Sequence, residues 1–210
     1  MATIKFDKQL FSTYAQKLRK EISLLENIEL PSFKKWTIDW QQIQDLQKSA
    51  KTDKWNTLPV YKELLVNKNN PAIYYFLVDK KQSKYLFDLF LKNKNESSRL
   101  RIEQGVGAKD FRSISHVPKI FLESTCIYVG SRKKNIHERF KQHLGYASGR
   151  TGALHMASVF SSGKSIPKIS FHYHILRPEL VHLTEHIECV VQNQLKPFIG
   201  KNILGIKSKD

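Results

Sequence analysis

Residues 72–78 read Ala-Ile-Tyr-Tyr-Phe-Leu-Val and are apolar or aromatic throughout. Pro71 precedes this run and Asp79 follows it, and both residue types interrupt regular strands. Because the run is short, aromatic and partly β-branched, it predicts a buried β-strand. A second run, Cys-Ile-Tyr-Val-Gly at 126–130, predicts another strand in the second half of the chain.

Periodic apolar residues on either side of these runs predict helices and one further strand. The helix over 136–144 is delimited by Asn135, a good N-cap residue, and by Gly145, which occupies the position of a C′ glycine. The other predicted helices cover 8–28, 39–50, 82–94, 152–161 and 178–195, and the further strand covers 168–176. Together these elements predict an α+β fold in which a small mixed or antiparallel sheet is flanked by helices.

The charge of the chain favours a polyanionic partner. Its 210 residues include 35 Lys or Arg and 19 Asp or Glu, so the formal net charge is +16. Residues 126–210 carry 13 basic and five acidic side chains, which is half of this surplus. Nucleic acid is the usual partner of so basic a protein, because each neutralised phosphate releases counterions. Charge alone indicates a polyanionic partner and does not identify which class of basic protein this is.

Cysteine content and hydropathy exclude several classes of protein. Two cysteines, Cys126 and Cys189, are too few for a disulfide framework, which indicates a reducing compartment. The longest apolar runs have about eight residues, whereas a membrane-spanning helix needs about 20. No hydrophobic signal segment follows Met1. The sequence therefore predicts a cytoplasmic protein without membrane association.

Four segments occur in an order that resembles the GIY-YIG nuclease family over residues 71–202. The segments are Ala72-Ile73-Tyr74 in the first strand, Tyr128-Val129-Gly130-Ser131 in the second, a helix bearing Arg139 and His143, and a later helix bearing Glu188 followed by Lys196-Pro197. Any one tripeptide is weak evidence, whereas the ordered set with its spacing is specific. The resemblance implies a GIY-YIG-type sheet and a metal-dependent DNA endonuclease.

The resemblance also implies how the reaction is divided among side chains. Glu188 is expected to hold a single divalent cation, Mg²⁺ or alternatively Mn²⁺, since a hard cation that keeps most of its waters needs few protein carboxylates. Arg139 is expected to brace the non-bridging phosphate oxygens with its planar, permanently charged group. Tyr74 is the candidate to accept the proton of the attacking water, with a metal-bound hydroxide as the alternative base.

Three further residues complete the set that the resemblance implies. Tyr128 and His143 are expected to orient the water or the phosphate. Asn202 is expected to position oxygens around the cation, and it is taken as the counterpart of the family's terminal asparagine. Gly200 stands where that asparagine usually lies.

Two additions to the catalytic core are predicted. Residues 1–68 form a helical N-terminal extension, and residues 69–210 form the nuclease domain, with a large insertion at 80–124 between its first two strands. The additions are expected to provide DNA grip, sequence recognition or a dimer surface. Nucleic-acid contacts are expected from three basic side chains, Lys133, Lys134 and Arg150. Two cuts in double-stranded DNA need two sites, which favours a restriction-like homodimer.

Other interpretations stay open at this level. The motifs His172-x-His174 and His182-x₃-His186 have the spacing of zinc ligands, although no paired cysteines accompany them. Glu185 is a second carboxylate on the last predicted helix. The same scaffold also fits a repair or recombination nuclease that recognises DNA structure, or a nucleic-acid-binding module without hydrolytic activity.

Overall fold

The computed structural model describes residues 8–26, 32–48, 52–103, 123–146, 152–160 and 166–200. Within them the α-helices are α1 (Lys8–Glu26), α2 (Trp40–Lys48), α3 (Pro59–Val66), α4 (Lys80–Glu103), α5 (Ile136–Leu144), α6 (Met156–Phe160) and α7 (Thr184–Leu195). The strands are β1 (Lys34–Thr37), β2 (Ala72–Val78), β3 (Cys126–Arg132) and β4 (Ile169–Ile175). Two 3₁₀ helices, Thr52–Thr57 and Pro178–Leu183, precede α3 and α7.

The four strands form one antiparallel sheet in the order β1-β4-β2-β3. β2 pairs with β3 on one side and with β4 on the other, so that Tyr74 lies between Gly130 and Tyr173. β1 pairs with β4 at the edge of the sheet, where Trp36 lies opposite Phe171. The predicted α+β fold is therefore confirmed, and the sheet is antiparallel rather than mixed.

One face of the sheet supports helix α5. Phe76 is paired directly with Tyr128 on one side and with Phe171 on the other, and directly paired residues share a face. Tyr74 lies two residues before Phe76 on β2, so its side chain projects to the same face. Phe140 of α5 packs on that side, with its ring centroid 4.8 Å from that of Phe171 and 5.7 Å from that of Trp36. This packing places α5 over the tyrosines of β2 and β3.

Residues 33–68 belong to the same compact unit as the sheet. The chain divides into Met1–Ser32 and Phe33–Asp210, whereas the predicted boundary follows residue 68. The difference arises because β1 pairs with β4, and because Glu63 of α3 accepts hydrogen bonds from Lys34 Nζ at 2.6 Å and from Tyr173 Oη at 3.0 Å. The boundary between the two compact units therefore follows residue 32.

Helix α1 is the described element of the N-terminal unit, and its bounds are close to the predicted 8–28. Leu18 and Ile22 on this helix are exposed by 41 % and 53 % of their surface. Among the described helices, none combines the length and apolar character needed to cross a bilayer.

Three elements differ in extent from the sequence prediction. Residues 152–155 do not form the first turn of a helix, because His155 has a left-handed φ of 48° and α6 begins only at Met156. Pro178 opens a 3₁₀ helix rather than α7 itself. In the predicted insertion, α4 extends well beyond residue 94, and residues 104–122 lie outside the described part of the chain.

Candidate active site

Gly130 lets two tyrosine side chains converge on the face beneath α5. It lies opposite Tyr74, and Tyr128 lies two residues before it on β3, so the two phenols are diagonal neighbours with ring centroids 6.3 Å apart. A Cβ atom on Gly130 would lie 2.6 Å from Tyr74 Oη and 2.7 Å from Tyr128 Cε1. Only a residue without a side chain therefore fits at this position.

Helix α5 brings a cation and an imidazole to the same place. Arg139 and His143 are one helical turn apart, so they share a face of α5. The helix begins after Asn135, whose φ of 58° is left-handed and whose N–H donates to Lys68 O at 2.6 Å. It ends at Gly145, as predicted, with a φ of 99° and an N–H that bonds back to the last turn.

The hydroxyl of Tyr74 is the centre of a buried hydrogen-bond cluster. His143 Nε2 lies 3.1 Å from Tyr74 Oη, and Arg139 Nε donates to the same oxygen at 3.4 Å. The other ring nitrogen of His143, Nδ1, accepts the backbone N–H of Leu154 at 3.2 Å. A neutral imidazole that accepts at Nδ1 carries its proton on Nε2, so His143 donates to Tyr74.

Opposing effects act on the pKa of Tyr74 in this arrangement. The phenol oxygen accepts two hydrogen bonds, from His143 and from Arg139, and both donors favour a phenolate. Burial acts in the opposite direction and raises the pKa of Tyr74 well above its ordinary value, with a further increase from Tyr128. Arg139 lowers the pKa of Tyr74, but burial outweighs it in the isolated chain.

Arg139 is held by several hydrogen-bond partners that lie in different directions. Besides Tyr74, its Nη1 donates to Gln142 Oε1 at 3.1 Å and its Nη2 donates to the backbone oxygen of Gly152 at 2.7 Å. Tyr128 is a further hydrogen-bond partner of Arg139, so most of the five N–H donors of the guanidinium are engaged. A planar, permanently charged guanidinium suits the oxygens of a phosphate.

Glu188 presents a half-buried carboxylate at the end of β3. Ser131 Oγ donates to one of its oxygens, and Gln192 Nε2 donates to the other at 2.9 Å. Burial raises the pKa of Glu188, while the hydrogen bond from Ser131 and the charge of Arg139 lower it. Glu188 in turn raises the pKa of Tyr74, so the carboxylate, the phenol and the guanidinium are close enough to interact through space.

Glu188 offers oxygen atoms of the kind that a magnesium ion prefers. Among the described residues, no Lys, Arg or His lies within ion-pair distance of this carboxylate, and its negative charge is stabilised by the hydrogen bonds from Ser131 and Gln192 and by the more distant charge of Arg139. Mg²⁺ keeps several waters and is commonly bound by one or two carboxylates together with substrate phosphates. Glu185, the rival carboxylate, is exposed and pairs with Lys133 at 3.1 Å.

The described residues do not supply the alternative zinc site. No group of three or more His, Cys, Asp or Glu side chains suited to a metal ion occurs in that part of the chain. His172 Nε2 is hydrogen-bonded with Ser170 Oγ at 3.0 Å, and His182 and His186 are exposed. The spacing of these histidines therefore reflects a strand face and a solvent-facing helix surface.

Two of the predicted site residues, Asn202 and Arg150, lie outside the described residues. Lys133 and Lys134 are exposed and directly follow β3, near the strand end where Ser131 contacts Glu188. The structure thus gathers Tyr74, Tyr128, Arg139 and His143 into one cluster, with Glu188 beside it.

Sequence reasoning did not anticipate the groups that hold this cluster. Ser131, Gln192, Gln142 and the backbone of residues 152–154 all contact a predicted site residue. Only Gln192 and Gln142 could have been predicted from the sequence as contacts, because they lie one helical turn from Glu188 and Arg139 on the same helices. Comparison of the chain with protein-family models, with curated proteins and with solved structures found no match.

Proposed function

We propose that this protein is a metal-dependent DNA endonuclease of the GIY-YIG type, acting on double-stranded DNA in the manner of a restriction enzyme. The observation that carries the proposal is the Tyr74 oxygen, which accepts hydrogen bonds from His143 and Arg139 near the half-buried carboxylate of Glu188. An acceptor supported by two donors, a fixed guanidinium cation and a carboxylate that can bind a metal ion are groups that phosphodiester hydrolysis uses. The net charge of +16 supports a nucleic-acid substrate.

Glu188 would hold the cation in this scheme. A divalent ion there supplies Lewis-acid activation of the scissile phosphodiester. Ser131 and Gln192 keep both carboxylate oxygens in place, which limits the rotation of the side chain before the ion binds. Because the carboxylate is half-buried, its attraction for a cation is weakened less by water than that of an exposed acid.

Arg139 would brace the phosphate. Its side chain is fixed by Tyr74, Tyr128, Gln142 and Gly152, which holds the planar cation in one orientation for the non-bridging oxygens. Preorganised donors of this kind stabilise negative charge as it develops, with no cost for reorientation during the reaction.

Tyr74 would act on the attacking water. Its oxygen is the point to which His143 and Arg139 both donate, so a phenolate formed there is stabilised by two hydrogen bonds. Burial keeps this phenol protonated in the isolated chain, and Arg139 acts to lower its pKa. A nearby divalent charge acts in the same direction as Arg139, which couples proton removal to metal binding.

Plasmid cleavage in Mg²⁺ and in Mn²⁺ tests the proposal. We expect the wild-type protein to cut, and the Glu188→Ala and Arg139→Ala variants to lose cleavage while they remain folded at the assay temperature. Glu185→Ala is the matched control, since it removes an exposed carboxylate from the same helix three residues earlier. Cleavage that survives both the Glu188 and the Arg139 substitutions would refute the mechanism, and sequencing the cut ends reports the recognition site.

A second candidate is a nucleic-acid-binding module without hydrolytic activity. The burial of Tyr74 favours it, because a phenol whose pKa is raised is a poor base unless another charge lowers it. Salt-dependent DNA binding without cleavage in either metal selects this module. A structure-specific nuclease is distinguished by incision of branched DNA with the intact duplex left uncut.

A further inference from the structure

The backbone of residues 152–154 touches two members of the candidate site at once. The carbonyl oxygen of Gly152 accepts a hydrogen bond from Arg139 Nη2 at 2.7 Å. The amide of Leu154, two residues later, donates to His143 Nδ1 at 3.2 Å. A single short segment therefore contacts both functional side chains of α5, as an acceptor for one and as a donor for the other.

The contact with Leu154 determines which nitrogen of His143 carries the proton. An N–H group can approach Nδ1 only if that nitrogen presents a lone pair, so the proton lies on Nε2. The Nε2–H group then points at Tyr74 Oη, 3.1 Å away. With the other tautomer, two donors would face each other at Nδ1, and Nε2 would accept from the phenol instead of donating to it.

The contact with Gly152 fixes the plane of the guanidinium. Arg139 Nη1 is held by Gln142 on the same helix, whereas Nη2 is held by the carbonyl from outside the helix. Hydrogen bonds from a charged donor are stronger than neutral ones, and the 2.7 Å distance is typical of that class. The direction of the remaining N–H groups therefore depends on where the backbone of Gly152 lies.

The local conformation explains how the segment reaches both side chains. Ala153, Leu154 and His155 are fully buried, so the segment packs against the core instead of crossing the surface as an ordinary loop does. His155 adopts a left-handed φ of 48°, which is costly for a residue with a side chain. Its carbonyl oxygen then accepts the N–H of Ser158 at 2.9 Å as α6 begins.

We propose that the backbone of residues 152–154 is a positioning element that sets the tautomer of His143 and the orientation of Arg139. Its effect on cleavage rests on the nuclease function proposed above, whereas its effect on the tautomer does not. The element acts through the two side chains of α5 and makes no contact with the substrate in this scheme. Because it consists of main-chain groups, ordinary alanine substitutions leave it intact.

The tautomer of His143 can be measured directly in the wild-type protein. In ¹⁵N-histidine-labelled protein at neutral pH, the protonated and unprotonated ring nitrogens give well-separated NMR signals. The His143 signals are assigned by their disappearance in His143→Gln. We expect the proton on Nε2 and none on Nδ1, and a proton on Nδ1 would overturn the proposal whether or not the protein cuts DNA.

A backbone ester tests the role of the Leu154 amide. Replacing Leu154 by its α-hydroxy acid converts one amide to an ester, which replaces the N–H that His143 accepts by an oxygen and leaves every side chain unchanged. We expect a measurable population of the Nδ1-protonated ring and a loss of cleavage of about tenfold. An ester at Ser158 is the control, because it deletes the nearby N–H that donates to His155 and leaves the cluster alone.

The two readouts separate this proposal from the proposed function. A wild-type protein with the proton on Nε2, and an ester at Leu154 that shifts it, support the positioning element even if no DNA is cut. In that case only the nuclease function fails. An unchanged tautomer in the Leu154 ester overturns the positioning element even if wild-type cleavage is strong.

Discussion

The phenol oxygen of Tyr74 and Nε2 of His143 lie 3.1 Å apart, although the two residues are separated by 69 positions in the sequence. The contact joins the central strand of the sheet to helix α5, and both side chains are almost completely buried. Its direction, from His143 to Tyr74, follows from the Leu154 amide on the opposite side of the imidazole. This hydrogen bond links the fold to the proposed chemistry, and the predictions below test it and its neighbours.

Removing the Tyr74 hydroxyl should affect both stability and cleavage. In Tyr74→Phe, the buried donors of His143 and Arg139 lose their shared acceptor, which costs about 1–3 kcal/mol of unfolding free energy. Loss of a general base lowers the cleavage rate by about 10²–10⁴-fold. Urea unfolding and single-turnover cleavage measure the two effects. Tyr75→Phe is the control on the other face of β2, and equal losses in both variants would contradict the assignment.

Substituting Arg139 by lysine should abolish most of the activity although the charge is kept. An ammonium group cannot donate to Tyr74, Gln142 and Gly152 in three directions and still donate to a phosphate. We expect cleavage to fall by about a hundredfold or more. Arg177→Lys, at an exposed arginine that pairs with Glu179, should cut normally. Normal cleavage by Arg139→Lys would show that charge alone suffices.

A methyl group at Gly130 should push the two phenols apart. In Gly130→Ala the new Cβ would lie within 2.7 Å of both Tyr74 and Tyr128, so the rings or the strand must move. Overpacking of this kind costs about 1–3 kcal/mol of unfolding free energy. Cleavage assayed far below the melting temperature should fall as well, since Tyr74 Oη is displaced from its donors. A variant that is destabilised yet fully active would place the reacting atoms elsewhere.

Stability should decrease as the pH falls below about 6.5. Burial lowers the pKa of His143 well below its ordinary value, and Arg139 lowers it further. At a pH below about 6.5, His143 is therefore protonated in the unfolded chain but not in the folded protein. The contribution of His143 to stability is fully present above the unfolded pKa and is lost progressively below it. Each pH unit in this window costs up to about 1.4 kcal/mol.

Urea titrations between about pH 5 and 7.5 measure this dependence. His143→Gln should show a flatter profile than the wild type, although His137, whose pKa burial also lowers, keeps part of the slope. Identical profiles for the two proteins would mean that His143 titrates normally in the folded state.

The lysines after β3 should contribute to the salt dependence of DNA binding. If Lys133 and Lys134 contact phosphates, each substitution by alanine reduces the slope of log K against log salt by about 0.9. Lys84→Ala is matched to Lys133→Ala, because both lysines are exposed and paired with an acidic side chain. Fluorescence anisotropy with a labelled duplex gives the slopes. If Lys84→Ala changed the slope as much as Lys133→Ala, the lysines after β3 would have no specific role in contacting phosphates.

Several elements could be predicted from sequence because their signals are local. The strand 72–78 and the helix 136–144 have the predicted bounds. Each end of β4 lies within one residue of the predicted strand 168–176. Each has a continuous apolar pattern whose period identifies the element. Strand β1 has no such pattern: in Lys34-Lys35-Trp36-Thr37, three of four side chains are exposed. Its extended conformation depends on pairing with β4, which lies more than 130 residues later in the sequence.

The sequence by itself determined which chemical groups the protein carries: two strand tyrosines, an arginine and a histidine one turn apart, and a glutamate on the last helix. Tertiary structure alone decided how these groups are protonated and held. The proton on His143 Nε2, the orientation of Arg139 and the position of the Glu188 carboxylate depend on Leu154 N–H, Gly152 O and Ser131 Oγ. Main-chain groups are nearly the same in every residue, so no sequence pattern marks the ones that folding brings to the site.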